Sequence, residues 1–109
     1  MDTPGNDLAS VTGFAAAGLQ IVVFTTGRGN PMGNAIVPVV KVTGNHATFE
    51  RMSTDIDIDA SPIIHSGASL RDVGERIYHL VLSVAAGERT AAERLGHAEF
   101  MMLRRGPVY

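Results

Sequence analysis

The feature that most constrains this chain is a nearly unbroken run of apolar, β-branched and aromatic residues at 19–25, Leu-Gln-Ile-Val-Val-Phe-Thr, that ends in a glycine loop. A run of that length and composition predicts a strand buried on both faces, as in a parallel sheet. The residues after it, Thr26-Gly27-Arg28-Gly29-Asn30-Pro31-Met32-Gly33-Asn34, support no regular element, so a loop follows the strand's carboxyl end. A second apolar stretch occupies 36–42. Pro38 within it lacks a ladder donor and predicts an edge, bulged or irregular strand.

Helical patterns surround these runs. Asn6 or Asp7 is placed to cap a helix with Leu8, Val11, Phe14 and Ala15 on one face, closed by Gly18; Gly13 inside it implies close packing. Asn45 can cap a helix with Phe49 and Met52 inward, and residues 55–58 alternate Asp and Ile as a short strand would. Over 69–86, Leu70, Val73, Ile77, Leu80, Val81 and Val84 recur at helical spacing. Ser69 and Asp72 stand as a capping box, Gly87 lies just past the end, and Gly74 implies close packing or a bend. Thr90 and Gly96 bracket a last short helix, and the tail closes Gly106-Pro107-Val108-Tyr109, an extended composition. Strands alternating with helices predict an α/β fold: a small, partly parallel, Rossmann-like sheet flanked by helices in a single domain.

The 109 residues bury roughly 65–70% of their unfolded surface by general scaling, enough for a core without staples. The absence of cysteine excludes disulfides, zinc-thiolate sites and thiol nucleophiles. Nine Lys and Arg against eleven Asp and Glu, with 6% aromatics, argue against nucleic-acid partners. No apolar run approaches a membrane span, and the first residues lack the basic region of a secretory signal, so the chain reads as soluble and cytoplasmic.

Chemistry is best placed in the loop after the first strand, because ligands of open α/β sheets bind beyond the strands' carboxyl ends. Gly27 and Gly29 let an anion approach the backbone, Arg28 can grip a carboxylate, and Thr25, Thr26 and Asn30 offer polar partners. The spacing Gly27-x-Gly29-x-x-x-Gly33 is neither a dinucleotide fingerprint nor a P-loop, and a tight turn with a solvated arginine accounts for it as well. Lys41 could polarise a carbonyl, pair with a carboxylate or act as a base, although such a lysine more often caps a strand end in solvent. Asp55, Asp57 and Asp59 would share one strand face, which suits either a hard cation or a solvated edge; the run is no EF-hand, since Ala60 and Ser66 stand at its glycine and glutamate positions. The histidines at 46, 65, 79 and 97 form no ligand pair. His79 fits a helix flank, and His46 is the one best placed to neighbour a site. Phe100, Met101 and Met102 read as core or interface packing, and self-association into a homo-oligomer is compatible with them.

Several segments taken together resemble the C-terminal region of the altronate/galactarate dehydratase family. They are Met1-Asp2-Thr3-Pro4-Gly5, Ser10-Val11-Thr12-Gly13 and Phe24-Thr25-Thr26-Gly27-Arg28-Gly29, continuing through Gly33, Pro38, Lys41, Asn45 and Asp55-x-Asp57. The series ends with Gly74-Glu75-Arg76-Ile77 and Gly87-Glu88-Arg89-Thr90. The resemblance implies residues 1–109 to be the C-terminal domain of a hydro-lyase that removes water from a sugar acid such as altronate or galactarate, giving a 2-keto-3-deoxy acid. It implies a divalent metal, iron(II), with ligands unassigned, and N-terminal domains or a partner subunit that complete the enzyme. Under it Arg28 and Lys41 become catalytic candidates, and Thr25, Thr26, Gly27, Gly29 and Asn45 substrate-binding ones; Asp2 and Thr3 would face the same site. Two alternatives share the resemblance: part of a sulfolactate sulfo-lyase, and a non-catalytic anion-binding or assembly module. The chain departs from the family pattern at Gly44-Asn45-His46, where members read Thr-Asn-Thr, and at Asp59-Ala60-Ser61, where they read Asn-Cys-Gly.

Overall fold

The computed structural model describes residues 5–102. In chain order it contains α1 (Asp7–Ala16), β1 (Val22–Thr25), β2 (Val39–Thr43), α2 (His46–Arg51), β3 (Ile58–Asp59), α3 (Pro62–His65), α4 (Leu70–Ala85) and α5 (Ala91–Leu95). The strands form one sheet in the order β1-β2-β3, and both pairings are parallel. Val22 stands opposite Val39, Phe24 opposite Lys41, and Val42 opposite Ile58. The α/β expectation holds, and the described sheet is parallel throughout.

Which strand is central differs from the sequence expectation. Residues 39–43 are all buried, whereas β1 lies at the edge with Val23 45% exposed. Pro38 does not prevent this, because it precedes the first paired residue of β2 and contributes only its carbonyl, which accepts from the Val22 amide at 3.0 Å. A proline at that point removes no ladder bond.

The pleat sorts the core into two layers. On one face Val22 and Val39 pack with Met32, Val37 and Val11 of α1, joined by Leu8, Phe14, Ala15 and Phe24. On the other, Val40, Val42 and Ile58 meet Val84, Ile77 and Leu80 of α4. No helix links β1 to β2; residues 26–38 cross the α1 face as irregular chain and bury Met32 and Val37. Such a crossing must satisfy its own polar groups. Asn30 accepts from the Met32 amide, Asn34 accepts from the amides of Ile36 and Val37, and Glu99 accepts from the Gly33 amide at 2.9 Å.

The caps form where the sequence places them. Asn6 accepts from the Ala9 amide, Asn45 from the Thr48 amide, and Ser69 and Thr90 each complete a capping box, with Asp72 and Glu93 respectively. Gly18, Gly87 and Gly96 follow their helices at positive φ. Four details are corrected. Leu70 is 76% exposed, because the helix begins there and turns it outward. A Cβ at Gly74 would meet nothing, so no close packing requires that glycine. The third strand is Ile58–Asp59, since Asp55 and Ile56 complete a turn on the Met52 carbonyl. Phe100 and Met102 are 68% and 82% exposed, so neither is core, while the Met101 amide is held by the Thr12 hydroxyl at 3.1 Å. Asp2, Thr3 and the Gly106-to-Tyr109 tail lie outside the described residues. Among those described, no helix is long and apolar enough to cross a membrane.

Candidate functional site

The carboxyl ends of all three strands open into one cleft of about 480 Å³, lined by Thr25 at the end of β1 with Thr26 and Gly27 after it, by Val42 of β2 with Gly44 and Asn45 after that strand, and by Ala60 after β3. Its walls are fixed by backbone bonds continuing beyond the paired residues. The Thr26 amide donates to the Val42 carbonyl at 3.0 Å, and the Ala60 amide to the Thr43 carbonyl at 2.7 Å. The Gly27 carbonyl accepts from the Thr48 hydroxyl at 2.9 Å and from the Asn45 side-chain amide at 3.3 Å. Asn45 thus caps α2 and braces the glycine loop at once. Of the residues singled out from sequence, Thr25, Thr26, Gly27 and Asn45 come together here.

The glycine loop has the properties of an anion cradle. The amides of Gly27 and Arg28 make no hydrogen bond to any described residue, whereas the next amide, of Gly29, is tied to the Thr26 hydroxyl at 3.0 Å. The Arg28 guanidinium is exposed and has no hydrogen bond or ion pair among the described residues. Its carbonyl is held by Arg51 at 2.9 Å, so the loop is anchored while the cation stays free. Arg28 stands beside the cleft rather than in its lining. Gly29 serves packing: its φ is +87°, and a Cβ there would collide with the Met52 sulfur.

Lys41 is placed elsewhere. It is fully buried, and strand alternation sends its side chain to the face opposite Val42, which lines the cleft. Its Nζ donates to the Pro31 carbonyl at 2.9 Å, pinning the 26–38 crossing to the sheet. Burial pushes its pKa below the usual lysine value, although Asp57, Asp55 and Glu99 pull the other way. The three aspartates diverge in role. Asp57 accepts from the Lys41 and Ala91 amides, each at 2.7 Å; Asp55 stands 3.9 Å from His97; Asp59 accepts from the Ser61 amide at 2.8 Å.

A pair that sequence reasoning did not assemble stands next in the chain to two cleft residues. Nδ1 of His46 is 3.0 Å from the Asp59 carboxylate and Nε2 is 3.5 Å from Glu50. The hydrogen bond to Asp59, reinforced by Glu50, raises the His46 pKa. For Asp59, burial acts upward, but the hydrogen bonds from Ser61 and His46 prevail and hold the carboxyl below its ordinary range. His46 and Asp59 are the chain neighbours of Asn45 and Ala60, which line the cleft. They also fall in the two segments that depart from the family pattern, so those departures meet in space. On the far side, His97 bonds Glu99 at 2.9 Å, and His65 and His79 stand exposed. Among the described residues no three His, Asp or Glu side chains converge as a metal centre requires, so these residues alone do not fit the divalent ion that the resemblance implies.

Comparison with known proteins identifies the family. A family model described as "D-galactarate/Altronate dehydratase, C-terminal" matches residues 1–108. The (2R)-sulfolactate sulfo-lyase subunit beta of Chromohalobacter salexigens is 38% identical across 95% of the chain, which covers 27% of that protein. The altronate dehydratase of Bacillus subtilis is 36% identical and the galactarate dehydratase (L-threo-forming) of Escherichia coli 33%, each across 97% of the chain and 21% of the relative. The chain therefore spans about a fifth to a quarter of the length of these curated relatives. With residues 1–108 of its 109 spanned by that family model, the chain belongs to the D-galactarate/altronate dehydratase C-terminal family.

Proposed function

We propose that this chain supplies the carboxylate-binding part of a carbon–oxygen lyase that removes water from a sugar acid of the altronate or galactarate type, and that further domains or a partner subunit complete the catalytic centre. The observation that supports this reading is the pair of Gly27 and Arg28 amides and the Arg28 guanidinium, none of them hydrogen-bonded to another described residue, at the end of a parallel strand. Backbone N–H groups and an arginine fork are the donors a carboxylate requires. Thr25, Thr26 and Asn45 supply hydroxyl and amide partners for the substrate's own hydroxyls. Holding the carboxylate against such donors acidifies the adjacent C–H, since charge that develops on the carboxylate during proton removal is stabilised where it forms. Loss of the β-hydroxyl as water then leaves an enol that becomes the 2-keto-3-deoxy acid.

Iron(II), the metal implied by the resemblance, would be held with the help of further domains or a partner subunit; among the described residues no three His, Asp or Glu side chains gather to hold it. Lys41 contributes by holding the loop to the sheet. Arg28 contacts substrate, and Gly29 shapes the turn. The cytoplasm is the proposed compartment. A second reading, elimination of sulfite from sulfolactate, is favoured by the 38% identity to the sulfo-lyase subunit, and the same cradle would hold its carboxylate.

The test is titration of the purified chain with galactarate, altronate and sulfolactate, followed by amide shifts. Shifts gathered at Gly27, Arg28 and Asn45 support the reading. Arg28→Ala should then weaken acid binding by about 1.5–3 kcal/mol, the range of a charge-assisted hydrogen bond. An affinity unchanged by that substitution removes Arg28 from the site. Turnover after reconstitution with the remaining domains separates an enzyme from a binding module.

A further inference from the structure

The backbone donors at Gly27 and Arg28 belong to a peptide that nothing within the loop restrains. Gly27 has no side chain, and a Cβ built on it would touch nothing, so packing does not fix its torsions. Both residues are exposed, and the Gly27–Arg28 peptide enters no backbone–backbone hydrogen bond among the described residues. Its restraint comes from one side of α2, where Asn45, Thr48 and Arg51 follow at intervals of three and all donate to the loop. The Thr48 hydroxyl at 2.9 Å and the Asn45 side-chain amide at 3.3 Å meet the Gly27 carbonyl, and Nη2 of Arg51 meets the Arg28 carbonyl at 2.9 Å.

The two peptides of the loop are held differently. The Arg28–Gly29 peptide is fixed at both ends, because its N–H also donates to the Thr26 hydroxyl at 3.0 Å. The Gly27–Arg28 peptide is held by its carbonyl alone. In a planar trans peptide the carbonyl and the N–H point in opposite directions, so drawing the Gly27 carbonyl onto α2 turns the Arg28 N–H away from α2 and keeps it available as a donor. Of the two groups on that carbonyl, Thr48 makes the shorter bond and is only 2% exposed, whereas Asn45 is exposed. The Thr48 methyl also supports the loop, since a Cβ at Gly29 would stand 3.1 Å from it. We infer that Thr48 is the positioning residue of this site: its hydroxyl sets the plane of the Gly27–Arg28 peptide and so aims the Arg28 amide at the bound carboxylate. This role rests on the proposed function and adds to it a residue that itself touches no ligand.

Thr48→Val and Thr48→Ser, made in the whole chain, separate the hydroxyl from the methyl. The direction of the Arg28 N–H is measured without ligand from its residual dipolar coupling, and binding by galactarate titration followed through amide shifts. In Thr48→Val the Arg28 coupling should change while those of β1 and β2 stay, and galactarate affinity should fall about tenfold, the scale of one misaimed charge-assisted hydrogen bond. Thr48→Ser should keep both the coupling and the affinity near the parent's. Ser69→Ala, in the cap of α4, controls for lost stability and should leave the affinity unchanged. If Thr48→Val does not fold, Thr48→Ala against Thr48→Ser makes the same comparison of hydroxyl absent and present. An affinity equal to the parent's in Thr48→Val, an equal fall in the serine variant, or a fall with the Arg28 coupling unmoved overturns the positioning role and leaves the Gly27–Arg28 cradle standing. A parent chain whose Gly27 and Arg28 amides do not respond to galactarate overturns the proposed function and the role of Thr48 together.

Discussion

At the scale of single residues, Lys41 in β2 and Asp57 just before β3 carry different loads. Asp57 bonds the backbone amides of Lys41 and Ala91, joining the central strand to the start of α5. Asp57→Ala strands both amides in the interior and should cost about 2–4 kcal/mol, read as a fall in the urea midpoint at constant m-value. Lys41 places an ammonium where burial disfavours charge, and a single carbonyl is its hydrogen-bonded partner. Lys41→Met keeps the length and removes the charge, so stability should stay within about 1 kcal/mol of the parent or rise. Amide exchange in the 26–38 crossing should quicken in that variant, because its tie to the sheet is gone. A loss of several kcal/mol would show a fully charged, strongly paired lysine instead.

At the scale of elements, local chemistry explains the ends of helices better than it explains the order of strands. Ser69 and Asp72 bond reciprocally at the start of α4, with the Ser69 hydroxyl accepting at 3.1 Å. Ser69→Ala should cost about 1 kcal/mol and lower the melting temperature by about 4–8 °C for a domain this small. A change under a degree would mean that α4 is held by Val73, Ile77, Leu80 and Val84 rather than by its cap. The strands teach the opposite lesson. The 19–25 run is the more apolar in appearance, yet β2 is the doubly covered strand. Hydrophobicity marks a strand as half-buried or better, but its neighbours decide whether the second face is covered. For β1 that second face ends at Val23, outside the reach of α4.

At the scale of the whole molecule, stability should depend on pH at both ends of a broad plateau. Hydrogen bonding from the Gly33 amide, then from His97, holds the Glu99 carboxyl low despite partial burial. Glu99 and Asp59 both titrate below their unfolded values, so their contribution is complete above the ordinary carboxylate range and is lost as pH falls through their folded values. His46 titrates above its unfolded value, so its contribution is complete below about 6.5 and disappears as pH rises through the folded value. Urea unfolding between about pH 3 and 9 should show a steep acid limb, flattened by Glu99→Gln, and a shallow alkaline decline, removed by His46→Gln. An acid limb unchanged by Glu99→Gln would show that the bond between the 26–38 crossing and the segment after α5 contributes nothing to the fold.

The sequence by itself determined the caps of α1, α2, α4 and α5, the α/β class, the glycine loop at a strand's carboxyl end and the family, whereas the short α3 (Pro62–His65) went unread. These rest on signals within a few residues: a cap and its third neighbour, a spacing of three and four, an apolar run and its stop. Tertiary structure alone decided the rest. Parity along β2 sends Lys41 to the face away from Val42, which no local pattern announces until the covered faces are known. His46 and Asp59 meet at 3.0 Å across 13 residues because parallel pairing of β2 and β3 brings both strands' ends to one edge. Local energetics are written in neighbouring residues, whereas a site assembled from three strand ends exists only once the chain has crossed the sheet and paired.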